Sequence, residues 1–135
     1  MRLLAIALSA GMMMGGNAAA LAQEITLDNL PPVVVATEPK AGQTDVAAGN
    51  AEIRVVFSRP MKGGSWSWVK VSDTSFPKLA GNPRFLEDGR TAVLPVTLEA
   101  GKIYAMWVNS AQNQNFQDPQ GRKAVPYLLS FQTKR

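Results

Sequence analysis

Glycine and proline interrupt this chain so regularly that no window after residue 23 supports a long amphipathic helix. The 135 residues include 11 Gly and 9 Pro, and between them lie short β-branched and aromatic runs. Pro31-Pro32 is followed by Val33-Val34-Val35-Ala36, a run suited to a strand, which stops at Pro39 and gives way to a loop, Lys40-Ala41-Gly42-Gln43-Thr44-Asp45. Ala51 to Ser58 alternates, with Ile53, Val55 and Phe57 on one face and Glu52, Arg54 and Ser58 mostly on the other. That period of two predicts a half-buried strand with Phe57 in the core.

Pro60 and Gly63-Gly64 mark the next connection, ahead of Ser65-Trp66-Ser67-Trp68-Val69-Lys70-Val71-Ser72. Trp66 and Trp68 share one face of an extended segment while Val69 and Val71 have the opposite parity. Either a bulge re-aims this strand or both of its faces are partly covered. Asn82 to Leu86 and Arg90 to Pro95 flank Glu87-Asp88-Gly89, where Asp-Gly supplies the positive backbone angles of a tight hairpin. Pro95 lacks a ladder donor and is expected to end its strand or lie on an edge. Ile103 to Asn109 and Tyr127 to Thr133 complete the series. In the last of these Tyr127, Leu129 and Phe131 are in phase, and Asp118-Pro119-Gln120-Gly121 before it is a reverse turn. About seven strands, with a turn signal roughly every 8 to 12 residues, predict an all-β sandwich of two antiparallel sheets. The spacing Leu98-Glu99-Ala100-Gly101-Lys102-Ile103-Tyr104 adds a tyrosine corner: Tyr104 bonds back to the preceding turn, Gly101 permits that turn, and Leu98 plugs the core beside the ring.

The first residues read as an address rather than as structure. Met1 and Arg2 are a short positive segment, Leu3 to Gly16 is apolar, and Ala20-Leu21-Ala22 is an A-x-A cleavage signal. The expectation is a signal peptide over residues 1–22 cut after Ala22, an extended polar leader over 23–32 and one domain over 33–135. The apolar run is shorter than the roughly 20 residues that cross a bilayer, so no transmembrane anchor is expected in the mature form. Such a chain is expected in the periplasm or secreted.

There is no Cys and no His. Thiolate and imidazole ligands are therefore missing, which excludes zinc, haem and iron–sulfur sites, and so is the usual general base of nucleophilic hydrolysis. Carboxylates offer little more. Glu87 and Asp88 are neighbours at a hairpin tip rather than a pair facing across a cleft. Asp45, Asp73 and Asp118 are isolated turn formers, and Asp118 with Gly121 lacks the alternating oxygen ligands of a calcium loop. No catalytic residue, cofactor or metal site is expected, and the chain is not expected to be an enzyme. The net charge of +4 is spread over scattered Lys and Arg rather than gathered in a stripe, so no nucleic-acid partner is expected. Without cysteines in an oxidising compartment, the sandwich has to be held by packing and its tyrosine corner.

Several segments together resemble a known family. Pro32-Val33 with Glu38-Pro39-Lys40-Ala41-Gly42-Gln43-Thr44-Asp45-Val46, then Ile53 to Met61, are similar to the opening of bacterial SbsA-type Ig-like domains. Leu98 to Tyr104 resembles their L-x-P-G-x-x-Y segment, Asp118 to Gly121 their D-x-x-G loop, and Ser130-Phe131-Gln132-Thr133 their closing F-x-T strand. The resemblance runs from about residue 31 to 135 and implies an Ig-like Greek-key β-sandwich of about seven strands in two antiparallel sheets, preceded by a signal peptide. It also implies a structural or binding role, with no catalytic residues to transfer. Such modules usually occur as repeats or appendages of larger envelope proteins, and Gly63 to Trp68 is richer in Trp than their general pattern.

The aromatic residues supply the binding hypothesis. Trp66 and Trp68, with Trp107 as a third member, form either a platform for a ligand or a filling for the core between the sheets. Only three Trp, two Tyr and five Phe are present, so Trp107 is expected inside, while Trp66 and Trp68 stay open between the two. Asn113 and Asn115, in an amide-rich loop, are the accompanying polar candidates. The expected role is structural or protein-binding, with an envelope or surface protein as partner through an exposed edge or the Trp-bearing strand. The alternative is a carbohydrate-binding module that uses Trp66 and Trp68 on a glycan. Tyr104, Leu98, Gly101, Phe57 and Phe131 are expected to be structural.

Overall fold

The computed structural model describes residues 24–135, so the signal peptide and its cleavage after Ala22 lie outside the described residues. The chain divides into one unit that ends at Leu30 and another spanning Pro31–Arg135. In the first, Glu24 to Leu30 departs from the extended leader expected of it. Asn29 N–H donates to the Thr26 carbonyl (3.2 Å), Thr26 N–H to Asn29 Oδ1 (3.0 Å) and Asn29 Nδ2 to the Glu24 carbonyl (2.8 Å). Asn and Thr side chains compete for nearby backbone groups, and here they close a turn.

The larger unit contains β1 (Val34–Glu38), β2 (Gly49–Phe57), β3 (Trp68–Lys70), β4 (Lys78–Leu79), β5 (Arg84–Phe85), β6 (Thr91–Leu98), β7 (Ile103–Val108) and β8 (Tyr127–Gln132). They form a five-stranded sheet, β1-β2-β6 with β4 and β5 both against β6, and a three-stranded sheet, β3-β7-β8. Every strand pair is antiparallel. The alternation predicted the inner face: Ile53, Val55 and Phe57 of β2 are fully buried. They meet Ala92, Leu94, Val96 and Leu98 of β6, Tyr104, Met106 and Val108 of β7, and Leu129 and Phe131 of β8 in one cluster. Each large side chain so buried contributes about 1.5–3 kcal/mol, and this layer joins the two sheets into the expected sandwich.

Eight strands appear in place of about seven because one position is split. Lys78–Leu79 and Arg84–Phe85 pair with the same side of β6, separated by Ala80-Gly81-Asn82-Pro83. This gap explains Pro95, which does not end its strand but lies inside β6 opposite Glu52. The Pro95 carbonyl accepts from Ala80 N–H (2.9 Å), and in an antiparallel ladder a residue's nitrogen points the same way as its carbonyl. The missing donor of Pro95 therefore faces the interruption between β4 and β5, where a Cβ on Gly81 would come within 3.3 Å of the Pro95 ring.

The tyrosine corner forms between β6 and β7. Glu99 N–H donates to Tyr104 Oη (2.7 Å), and the Tyr104 ring stacks on Phe131 with centroids 5.5 Å apart. Gly101 takes φ +64°, a left-handed conformation that side chains disfavour. Thr133, the end of the F-x-T segment, completes the corner: its hydroxyl donates to the Glu99 carbonyl (2.6 Å) and accepts from Lys102 N–H (2.9 Å).

Packing and this corner do not act alone. Asn109, fully buried at φ 60°, donates through Nδ2 to the carbonyls of Phe116 (2.9 Å) and Ala124 (3.0 Å) and accepts from Phe116 N–H (2.9 Å). Asp118 is no isolated turn former. Its fully buried carboxylate accepts from Arg59 (3.1 Å) and Arg122 (2.8 Å) and from the N–H groups of Gln120 (3.0 Å) and Arg122 (2.9 Å). Burial alone would push this carboxyl up; the Arg122 side-chain and backbone hydrogen bonds, with its nearby charge, outweigh that and hold Asp118 below its ordinary value.

Candidate functional site

The two sheets leave an opening at one side of the sandwich, between β3 and the split edge β4–β5. A groove of about 480 Å³ lies there, lined by Trp66, Ser67, Trp68, Val69 and Lys70 from one side and by Phe76, Leu79, Pro83 and Leu94 from the other, with Asn113 at its rim. Its apolar wall comes from both sheets and from the connection that crosses between them.

The Ser-Trp-Ser-Trp pattern divides into two tasks. Trp66 and Trp68 are both half-buried and pack against the core cluster. Trp68 meets Phe116 edge-on at 5.2 Å between centroids, and Trp66 leans on Phe85 at 6.3 Å. The two serines hold the amide-rich loop in place. Ser67 Oγ accepts from Asn115 N–H (2.9 Å), and Ser65 Oγ donates to the Asn115 carbonyl. Lys62 N–H adds a bond to the Gln117 carbonyl (2.8 Å). This seam sets Asn113 at the groove. The two Trp are thus neither a free platform nor plain core: one part of each ring packs inward and another borders the groove. Trp68 Nε1 is buried with no hydrogen-bond partner among the described residues, an arrangement that costs about 1–3 kcal/mol.

Three of the four predicted binding residues, Trp66, Trp68 and Asn113, meet at this groove. Asn115 does not line it; that residue is exposed and works through its backbone. Trp107 contradicts the expectation of a core position. It lies on the outer face of the three-stranded sheet, where Val69, Trp107 and Leu128 stand in register across β3, β7 and β8. Parity decides this, because Tyr104, Met106 and Val108 turn inward and leave Ile103, Ala105 and Trp107 outside. Sequence reasoning missed Phe76, Leu79, Pro83 and Leu94, for which no local pattern pointed to the groove.

The acidic groups form no facing pair. Asp88 accepts from the Thr91 hydroxyl (2.7 Å) and from the N–H groups of Arg90 and Thr91 (both 2.9 Å), so it builds the hairpin turn. The Thr91 hydroxyl first, and then those backbone groups, hold its carboxyl below the ordinary value. Glu52 lies between Arg84 (2.7 Å) and Arg54 (2.9 Å), whose hydrogen bonds, that from Arg84 foremost, lower it likewise. Among the described residues no group of three acidic side chains converges as a metal site would require, and no helix is long and apolar enough to cross a membrane.

No curated protein matches this chain. Residues 28–133 match the family described as a bacterial Ig-like domain, and the chain belongs to that family.

Proposed function

We propose that the chain is a non-catalytic, SbsA-type module of the cell envelope that binds another protein through the aromatic groove. It is exported by the signal peptide over residues 1–22 and released after Ala22 into the periplasm or beyond it. Bacterial Ig-like domains are generally non-enzymatic structural or binding modules, typically extracellular or surface-exposed, which supports the class and the compartment. The observation that carries the binding reading is the groove of Trp66, Trp68, Phe76, Leu79 and Pro83, with an ammonium and an amide among its lining groups. Aromatic anchors beside a few polar groups are the composition of protein-binding hot spots.

A photo-crosslinking side chain at Leu79, which lines the groove and is 51% exposed, should capture a distinct envelope protein that Trp66→Ala no longer captures. The same probe at Ile103, on the outer face of the other sheet, should not. Trp66, Trp68 and Asn113 in one groove also favour a second reading, a glycan stacked on the indoles. Retention on peptidoglycan or glycan resin without any crosslinked protein would put that reading first. Hydrolysis of a glycan, lost on an Asp→Asn or Glu→Gln change, would overturn the non-catalytic part.

A further inference from the structure

We infer that the groove receives its partner as an added β-strand: an acidic, extended segment pairs with the open edge of β3 and seats a large apolar side chain between Trp68 and Leu79. This rests on the groove being the protein-binding site. It follows from the phase of the ladder. Ser67 accepts from Asn109 N–H (3.0 Å), and extending the Trp68↔Val108 register by one residue sets these two directly opposite each other. Hydrogen-bonded and non-bonded pairs alternate along an antiparallel ladder. Val69 therefore exchanges its bonds with Trp107, and the N–H and C=O groups of Trp68 and Lys70 face away from β7. Among the described residues β7 is the only strand paired with β3.

The groove lies along this edge, since the consecutive residues from Trp66 to Lys70 all line it. An unpaired strand edge beside a side-chain pocket is the arrangement of strand addition: the main chain supplies affinity and the pocket selects the residue. Lys70 sets the charge of the occupant. Among the described residues its ammonium has one ion-pair contact, Asp73 at 3.5 Å, with the two side chains 61% and 93% exposed, so it is open to a carboxylate brought in on the partner. Residues two apart share a face of a strand, which sets that carboxylate two positions from the apolar anchor. A second copy of this chain, cut after Ala22 and so without Arg2, would bring 13 Lys and Arg against 10 Asp and Glu, another net +3, toward Lys70, so the charge favours an acidic partner over self-association.

The test uses blocked peptides of about six residues, the usual length of a strand, with a Phe two positions from Glu, Gln or Lys. Each is made with free amides and with N-methyl groups on the amides that would face β3. Added to the isotope-labelled chain, the Glu peptide is expected to shift the amides of Trp68 and Lys70 and slow their hydrogen exchange. N-methylation should weaken it about tenfold, and Lys in place of Glu about threefold. Lys70→Glu should reverse the charge preference. Lys70→Pro sacrifices an outward N–H and no ladder bond; tested with the Gln peptide, on which the lost ammonium has no bearing, it should match the N-methyl loss while leaving the remaining spectrum folded. Equal binding of free and N-methylated peptides overturns strand addition and leaves the groove as a protein site. Crosslinking at position 79 without binding of any peptide overturns it too. Perturbation by oligosaccharides alone overturns both this mode and the protein-binding reading, and concentration-dependent dimerisation through the β3 amides overturns the acidic partner in favour of a second copy.

Discussion

The two edges of the three-stranded sheet are finished differently. At β8 the segment Gly42 to Val46 runs alongside the strand and covers it. Gly42 N–H donates to the Ser130 carbonyl (2.7 Å), Gln132 N–H to that of Gln43 (2.8 Å), Val46 N–H to that of Gln132 (3.2 Å) and Lys134 N–H to that of Val46 (2.8 Å). At β3 the ladder is three residues long, and its outer side gives onto the aromatic groove. A bare strand edge is an aggregation hazard that proteins usually cover or charge. Here one edge is covered by the chain itself, and the other is kept short, ends in Lys70 and faces a built cleft. The covered edge reads as structural and the bare one as the place left for something else.

Substitutions can break this contrast, and the largest effect is expected on the covered side. Phe131→Ala removes a ring that is 2% exposed and stacked on Tyr104, and urea unfolding should show a loss of about 4 kcal/mol. Leu79→Ala at the groove should change stability by less than about 0.5 kcal/mol. Comparable losses at the two positions would mean that the groove belongs to the core.

Asp118→Asn tests what holds the loop beside the groove. It removes the charge that Arg59 and Arg122 share and should cost about 2 kcal/mol. Because the folded-state pKa of Asp118 is lowered, its contribution is fully present above the ordinary value of 3.8 and is lost as pH falls through the lower folded-state value. Stability measured against pH should therefore fall less steeply below about pH 4 in the Asn variant than in the parent chain. Identical acid limbs would show that Asp118 is not the group that titrates.

Tyr104→Phe keeps the ring and deletes the oxygen that accepts from Glu99 N–H, with an expected loss of about 1 kcal/mol in the same unfolding assay. Lys70→Glu is expected to have the smallest effect on stability, within about 0.5 kcal/mol, since its partner Asp73 is almost fully exposed. Any functional consequence of that change should appear in binding and not in the unfolding midpoint.

Legibility followed sequence distance. Ile53, Val55 and Phe57 were readable because a period of two is written in adjacent residues, and Leu98, Gly101 and Tyr104 because the corner closes within seven positions. Trp107 was misplaced for a different reason. Scarcity of aromatics argued for burial, yet alternation along Ile103 to Val108 already assigned it to the outer face; parity is a geometric constraint and scarcity only a tendency. Pro95 was misjudged because whether a proline is tolerated depends on what lies opposite its nitrogen, and the gap between β4 and β5 that answers this is invisible locally. Arg59 and Asp118 are 59 positions apart, and no spacing rule joins them.

By itself the sequence determined the fold class, the inward face of most strands, the tyrosine corner and the shared parity of Trp66 and Trp68, because these depend on backbone preferences and short-range periodicity. Only the tertiary structure decided that Trp66 and Trp68 border a groove completed by Phe76, Leu79 and Pro83, that one edge of their sheet is covered and the other bare, and that Asp118 is buried between two arginines. Those features arise where segments far apart in the chain meet, and it is the packing of the two sheets that brings them together.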